Sequence, residues 1–414
     1  MNILLINHYC GSPSLGMAFR PYYIAREWIK EGHSVTIVGA SFSHLRIIQP
    51  NLCYNYQIEN FDGIKYIWLK TPSYKSNYKR ILNILAFILR LSHYANKILR
   101  EAIPDIVIAS STYPLDIYTA HRIAVKTKAR LCFEVHDLWP LSPMVIGGYS
   151  RWHPFIMIMQ LAENYAYKRS DIVISLLDKA LPHMVKHGLK PEKFIVIPNG
   201  YFAEEWNNNN EELPSEHRLL FSKFRNENRT IVGYAGGHSP SNALDTLLNA
   251  AKLLNKRPDI VFVLVGEGPS KNELIQEANS ADQKNVHFLP SVTKRAIPDL
   301  IKRFDIAYMG GVKSILHKYG TSYNKMTDYM LSARPIIFAV DEPDSLIERL
   351  GCGITVPAER PDRVSDAVER IITYSASERM EMGLRGKAYV EKELKYEILS
   401  KKMLNYISCL ENKP

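Results

Sequence analysis

Residues 229–254, "RTIVGYAGGHSPSNALDTLLNAAKLL", decide how the chain divides. A β-rich apolar run, a glycine pair and a helical run with apolar residues at helical spacing read as strand, turn and helix. The unit they open continues through "DIVFVLVGEG", "VHFLPSV", "FDIAYMG", "PIIFAV" and "GITVP". Upstream stands an earlier series of the same kind: "NILLIN", "FRPYYIAREWIKEGH", "SVTIVGAS", "PDIVIAS", "RLCFEVHD", "SDIVISL" and "KFIVIPNG". Short strands separated by helices of about a dozen residues imply βαβ units on a parallel sheet. The polar segment "AEEWNNNNEELPSEH", residues 203–217, is the natural linker, so the pattern gives two successive α/β units. No solenoid-type period is present.

Length and composition agree. A chain of 414 residues that is 46% hydrophobic exceeds one ordinary core and suffices for two. The opening "MNILLINHY" lacks a basic leader, and the apolar run "ILNILAFIL" falls far short of the ~18 residues a spanning helix needs. A cytoplasmic location is expected. Cys10, Cys53, Cys132, Cys352 and Cys409 are scattered without a CxxC pair, which fits reduced thiols and argues against cysteine-held metal. The formal charge of +10 is uneven: residues 63–100 contain no acid but include Lys65, Lys70, Lys75, Lys79, Arg80, Arg90, Lys97 and Arg100 among aromatic residues. Such an excess suits nucleic acid, an anionic membrane surface or a phosphorylated substrate.

In α/β sheets ligands bind at strand carboxyl ends and helix N-termini. Six strand ends qualify: "NHYCGSPSLG" with Gly16, "HDLWP", "PNG", "YAGGHSPSN" with Gly236, Gly237 and His238, "VGEGPS" with Gly266, and "SYNKM" with Asn324 and Lys325. The glycine pair is either a phosphate cradle or a tight turn without a ligand. In "SYNKMTDYMLSARPIIFAV", residues 322–340, a helical run carries Asp328 into a strand, placing a carboxylate beside a strand end. "DEPD", residues 341–344, contains Pro and reads as a solvated loop rather than a metal site, and "VGEGPS" lacks the GK[ST] of a P-loop.

The order and spacing of "AREWIKEGHSVTIVGA", "EVHDLWP", "RSDIVISLLDKALPHMVKHGLKPEKFIVIPNG", "GYAGGHSPSNALDTLLNAA", "FVLVGEGPSKNEL" and "NKMTDYMLSARPII" resemble the GT-B glycosyltransferases, specifically the retaining family 4 type that builds bacterial surface polysaccharides. Within that family the chain looks most like O-antigen and capsule enzymes that include N-acetyl-L-fucosamine transferases. The resemblance implies an α/β GT-B fold, two Rossmann-like domains with a cleft between them. It divides the chain into an acceptor-binding domain over residues 1–200, a nucleotide-sugar domain over 201–385, and a C-terminal segment, 386–414, crossing back to the first domain.

It also assigns roles. Asp328 falls where the second of two family glutamates holds the donor ribose; Gly320 stands where the first would be, so either backbone N–H groups of "YGTSYNK" hold the sugar or that contact is missing. The Arg and Lys that neutralise the leaving diphosphate in relatives are absent from "GGHSPSN". Lys325 is the expected substitute, assisted by the helix N-terminus behind Asn324, with Lys313 or Arg20 as alternatives. His136 occupies the place of an imidazole facing the donor sugar. Glu134, which points to the same side in the strand alternation, is a candidate acceptor contact. Gly16, Gly236, Gly237, His238 and Gly266 are the remaining expected donor contacts.

These readings imply a metal-independent retaining transferase with no cofactor, a UDP-sugar as donor substrate, and a hydroxyl of a lipid-linked saccharide as acceptor. The expected location is the inner face of the cytoplasmic membrane, with no nucleic acid partner. The rivals are an isomerase resembling UDP-N-acetylglucosamine 2-epimerase and a catalytically silent sugar-nucleotide-binding scaffold. In "YKRILNILAFILRLSHYANKILREA" apolar residues crowd most of a helix surface, so the helix is either core or membrane interface. In the second case Lys75, Lys79 and Arg80 meet anionic lipid.

Overall fold

The computed structural model describes residues 1–16, 20–207 and 211–409, and the middle of the expected linker, 208–210, lies outside them. Two compact units result: residues 1–199 with the helix Tyr396–Cys409, and residues 200–395.

The first unit is built on an eight-stranded sheet. Its strands are β1 (Asn2–Ile6), β2 (Ser34–Ala40), β3 (Tyr56–Phe61), β4 (Ile64–Leu69), β5 (Ile106–Ala109), β6 (Arg130–Val135), β7 (Ile172–Ser175) and β8 (Phe194–Val196), in the order β3-β4-β2-β1-β5-β6-β7-β8. All pairs are parallel except β3–β4. That hairpin was absent from the sequence reading. Its signal was Asp62-Gly63, both at positive φ, as a two-residue hairpin turn requires. Two aromatics of the basic window are consequently core: Tyr66 and Trp68 are fully buried and stack with ring centroids 5.1 Å apart.

The second unit has six parallel strands: β9 (Thr230–Ala235), β10 (Ile260–Val265), β11 (Val286–Leu289), β12 (Ile306–Gly310), β13 (Ile336–Ala339) and β14 (Gly353–Val356), ordered β11-β10-β9-β12-β13-β14. Val261, Val263 and Val265 of β10 face one apolar cluster, while Ile260, Phe262 and Leu264 face the other. Helices cover both faces, which is why "IVFVLV" is continuously apolar instead of alternating. The strand order reverses beside β1 in the first sheet and beside β9 in the second, and both turns place ligand-competent loops at carboxyl ends.

The chain leaves the second unit at Tyr396, ten residues beyond the expected 386. The helix Ala376–Glu393 stays with that unit because Val390 and Leu394 enter its core. The final helix packs on Arg20–Lys30: Tyr396 stacks on Tyr23 with centroids 5.0 Å apart, and Trp28 Nε1 donates to the Ser400 carbonyl at 3.2 Å. Among the described residues no helix is long and apolar enough to cross a membrane.

Helix Ala376–Glu393 approaches the turn at Ala333 so closely that a Cβ on Gly383 would lie 2.1 Å from the Ala333 carbonyl oxygen. Gly383→Ala should therefore lower the stability of this unit by about 1–3 kcal/mol through overpacking. Calorimetry should show that loss, while Leu384→Ala, on the exposed side of the same helix, stays within about 0.5 kcal/mol of the parent.

Candidate active site

In the first unit the carboxyl ends of β1, β5 and β6 gather a buried polar cluster. Glu134, the fifth residue of β6, is 1% exposed, and its Oε1 accepts from Arg20 Nε at 2.9 Å. Ser110 Oγ, just past β5, donates to Glu134 Oε2 at 2.5 Å and lies 3.0 Å from His136 Nε2, which is itself 3.3 Å from that oxygen. Arg20 Nη1 donates to the Pro198 carbonyl. Burial alone would raise the Glu134 carboxyl, but Arg20, His136 and Ser110 outweigh it and hold the group well below the usual carboxylate range.

This geometry corrects two expectations. Glu134 has both oxygens engaged beneath the surface, so it positions His136 rather than touching an acceptor. Arg20 is 5% exposed and already compensated by Glu134, which removes it as a mobile diphosphate partner. His136 keeps a partly exposed ring at the strand end. Gly16 closes the turn after Pro13–Leu15 and lies against Ile47. The sequence reading missed Ser110 and Ser111; their signal was two hydroxyl residues directly after "IVIA" at the reversal of strand order. Ser111 N donates to Asp116, a fully buried acid that burial raises to about 7.

In the second unit the loop after β9 meets the helix Asn324–Leu331. Lys325 Nζ donates to Asn242 Oδ1 at 2.6 Å and to the Tyr234 hydroxyl at 3.0 Å, and sits 4.8 Å from the Tyr234 ring centroid. Its Cδ lies 3.0 Å from where a Cβ on Gly236 would stand. Lys325 pairs with no carboxylate among the described residues, and burial lowers its ammonium to about 8. Gly236 N–H is spent on the Val265 carbonyl, whereas Gly237 N–H donates to nothing among the described residues. A half-buried cation thus stands beside a glycine turn that has one unspent backbone N–H, groups that suit an anion.

Other expected residues land differently. Gly266 has a packing reason: a Cβ there would lie 1.9 Å from the Gly236 carbonyl oxygen, so the two glycine loops touch backbone to backbone. The His238 ring is fully buried against Tyr234 and Phe288 with neither nitrogen hydrogen-bonded, and burial lowers it to about 4, so it is a neutral interior group behind the loop. Asn324 is exposed at the helix start. Lys313 is also exposed, with its backbone N–H on Glu359, and its side chain forms no ion pair or hydrogen bond among the described residues.

One turn after Lys325, Asp328 is partly buried, its carboxylate accepts no hydrogen bond among the described residues, and burial raises it to about 7, with Lys294 opposing. The "DEPD" segment is the solvated loop expected only at Pro343 and Asp344, which are exposed. Glu342 is 6% exposed and accepts from Thr321 Oγ1 at 2.5 Å, and Asp341 accepts from Ala358 N–H. A carboxylate therefore reaches the residue next to Gly320 from another strand end.

Of the three residues assigned to lipid contact, Lys75 and Lys79 are exposed. Arg80 is not available: its guanidinium donates to the Tyr9 hydroxyl at 3.2 Å and lies over that ring. The helix Asn77–Glu101 is neither wholly core nor wholly surface. Ile84, Phe87, Leu91 and Ile98 are buried, while Tyr78, Leu82, Leu85 and Leu89 are exposed at 71%, 43%, 45% and 70%.

Comparison with known proteins matches both units to transferase domains. Residues 16–200 match the family described as Glycosyl transferase 4-like domain, and residues 229–374 match Glycosyl transferases group 1. WcaI of Escherichia coli K12, provisionally assigned as a colanic acid biosynthesis glycosyl transferase, is 23% identical over 311 residues, 72% of either chain. Alpha-D-kanosaminyltransferase of Streptomyces kanamyceticus is 23% identical over 218 residues, 52% of this chain and 54% of that protein. Anabaena HepE in complex with UDP and glucose superposes with a TM-score of 0.65 at 14% identity, covering 99% of this chain and 100% of that one. Sucrose-phosphate synthase of Thermosynechococcus elongatus gives 0.70 at 14% identity, covering 99% and 98%. The fold is GT-B.

Asp328 yields a stability test that needs no ligand. An acid raised in the folded state contributes fully below its unfolded value, near 4, and loses that contribution as pH rises through the folded value of about 7. Asp328→Asn should match the parent thermal midpoint at about pH 4, then exceed it increasingly up to about pH 8. Parallel midpoints across this range would show that the carboxylate carries no burial cost.

Proposed function

As a chain made of the two glycosyltransferase domains of the GT-B class, this protein, we propose, transfers a sugar from a UDP-sugar held by the second unit to a hydroxyl of a lipid-linked saccharide held by the first. The transfer retains anomeric configuration, uses no metal, and serves assembly of a bacterial surface polysaccharide of the O-antigen or capsule kind, with N-acetyl-L-fucosamine as the sugar to try first. One observation carries the reading: the Lys325 ammonium lies at the Gly236–Gly237 turn, one helical turn from a carboxylate that accepts no hydrogen bond among the described residues. A nucleoside diphosphate supplies both complements, phosphate oxygens for the first and vicinal ribose hydroxyls for the second. The UDP in the HepE complex and the colanic acid assignment of WcaI support the donor and pathway classes.

Charge develops on the departing UDP as the glycosidic bond breaks, and a preorganised cation lowers that barrier. Lys325 and the helix start at Asn324 supply it in this proposal. His136, fixed through Ser110 and Glu134, orients a sugar hydroxyl on the same side as the incoming acceptor.

UDP release from a panel of UDP-sugars, with and without a lipid-linked acceptor, tests the whole reading. Acceptor-dependent release supports transfer, epimerisation without release supports an isomerase, and binding without turnover supports a scaffold. Lys325→Ala should cost on the order of 10²–10³ in kcat. The parent kcat/KM should rise through about 7 as Asp328 ionises and fall above about 8 as free Lys325 loses its proton. Asp328→Asn should remove only the acid limb, and an unchanged limb would detach Asp328 from donor binding.

The same proposal places the chain peripherally on the inner face of the cytoplasmic membrane, through the exposed Tyr78, Leu82, Leu85 and Leu89 stripe flanked by Lys75 and Lys79. Each basic residue near an anionic surface adds roughly 1 kcal/mol, screened by salt. The protein should sediment with anionic liposomes at low salt and ignore neutral ones. Lys75→Glu with Lys79→Glu should abolish sedimentation while leaving Arg80 on Tyr9; persistence of binding in that variant would rule out this surface.

A further inference from the structure

Glu163, His183 and His187 lie in the first unit, outside the Arg20–Glu134–His136 cluster. Glu163 is on the helix Pro154–Arg169; His183 is on the helix Leu181–Lys186, and His187 is its C-cap, one turn later. One ligand atom of each lies within 4.8 Å of the others. Glu163 is 1% exposed, His183 is 8% exposed, and the two imidazole centroids are 4.5 Å apart.

A close hydrogen-bond network surrounds the three side chains. Gln160 Nε2 donates to Glu163 Oε2 at 2.7 Å and to Asn164 Oδ1 at 2.8 Å, and lies 2.9 Å from His187 Nδ1. Asn164 Oδ1 is also 3.1 Å from His187 Nδ1, and His183 Nε2 is 3.3 Å from Glu163 Oε1, which already accepts from the Tyr167 hydroxyl at 2.9 Å.

We propose that Glu163, His183 and His187 bind one divalent transition-metal ion, Zn²⁺ by ligand chemistry, fastening the helix that follows the His136 loop to the helix that follows β7. Two imidazoles and a carboxylate are a borderline donor set suited to zinc. Bonds of about 2.0–2.1 Å in a tetrahedron set ligand atoms ~3.4 Å apart, close to the 3.3 Å between His183 Nε2 and Glu163 Oε1. The Asn164 carboxamide oxygen or a water completes four-coordination. Tyr167 and Gln160 hold the carboxylate from outside, as second partners of metal ligands do. Because Glu163 and His183 are shut from solvent, the ion has a structural role and takes no part in sugar transfer. The sequence concealed the set because the carboxylate lies twenty residues ahead of the first histidine.

Untagged full-length protein, stripped with chelator and titrated with ZnCl₂, tests this. One equivalent should remain bound after gel filtration, with a thermal midpoint raised by several degrees. Co²⁺ in place of zinc should give the visible bands of a four-coordinate nitrogen–oxygen site. His187→Gln and Glu163→Gln should each lose the equivalent and the rise. Less than a full equivalent, an undiminished rise in either variant, or Co²⁺ absorption typical of hydrated ion would overturn the proposal. The Co²⁺ spectrum of the parent decides the matter if a variant does not fold.

Discussion

The buried Arg20–Glu134 ion pair is the tie on which the first unit's chemistry depends. Its partners are 114 residues apart and join the helix after β1 to the end of β6; Arg20 then reaches the Pro198 carbonyl and Glu134 reaches Ser110. Four segments therefore meet at one charge pair. Burying two charges is expensive, and leaving one alone costs about 3–5 kcal/mol, so neither partner can move without the other. This fixes the face His136 presents, because Ser110 and Glu134 both hold its Nε2. The pair is better understood as setting geometry than as adding stability, since well-packed apolar residues of similar volume can match a buried pair in free energy.

The second unit keeps charge in the opposite manner. Asp328 is pushed up to about 7 and Lys325 down to about 8, both by burial, and neither has an ionic partner within hydrogen-bonding reach among the described residues. Each titrates close to physiological pH. Two unpaired, burial-shifted groups one helical turn apart are a cost to the fold that a ligand of complementary charge and hydrogen bonding would offset. Tyr234 and Asn242 keep the ammonium aimed at the glycine loop, so little side-chain reorganisation remains when an anion arrives.

What the sequence revealed follows from the range of the interactions concerned. Continuous apolar runs separated by helical spacing are local patterns, and they sufficed for two parallel sheets and for most loops at strand ends. Lys325 was found for a local reason too, as a cation at a helix start beside a glycine-rich turn. Side-chain direction was harder. Alternation along β6 correctly put Glu134 and His136 on one side, but it could not reveal an arginine over a hundred residues away that draws the acid inward. His238 follows the same glycine pair that opens toward Lys325, yet its ring turns into the core beside Phe288. Glu342 looked solvated within "DEPD" because its hydroxyl partner, Thr321, comes from another strand end.

The helix Asn77–Glu101 shows how two readings of one stretch can both hold in part. Counting apolar residues gives a helix greasy nearly all round, which is compatible with core or with lipid. Phase resolves it: Ile84, Phe87, Leu91, Ala95 and Ile98 recur at three- and four-residue steps and are buried, while Tyr78, Leu82, Leu85 and Leu89 recur at the same steps on the exposed side. A surface helix that needed only to cover the sheet would carry polar residues on that second stripe. Retaining tyrosine and three leucines there, within residues 63–100 that contain no acid, is costly to solubility unless something apolar and anionic covers it. Arg80, which breaks the pattern by turning inward to Tyr9, keeps the start of the helix attached to the loop after β1, so the exposed stripe is presented from a fixed base.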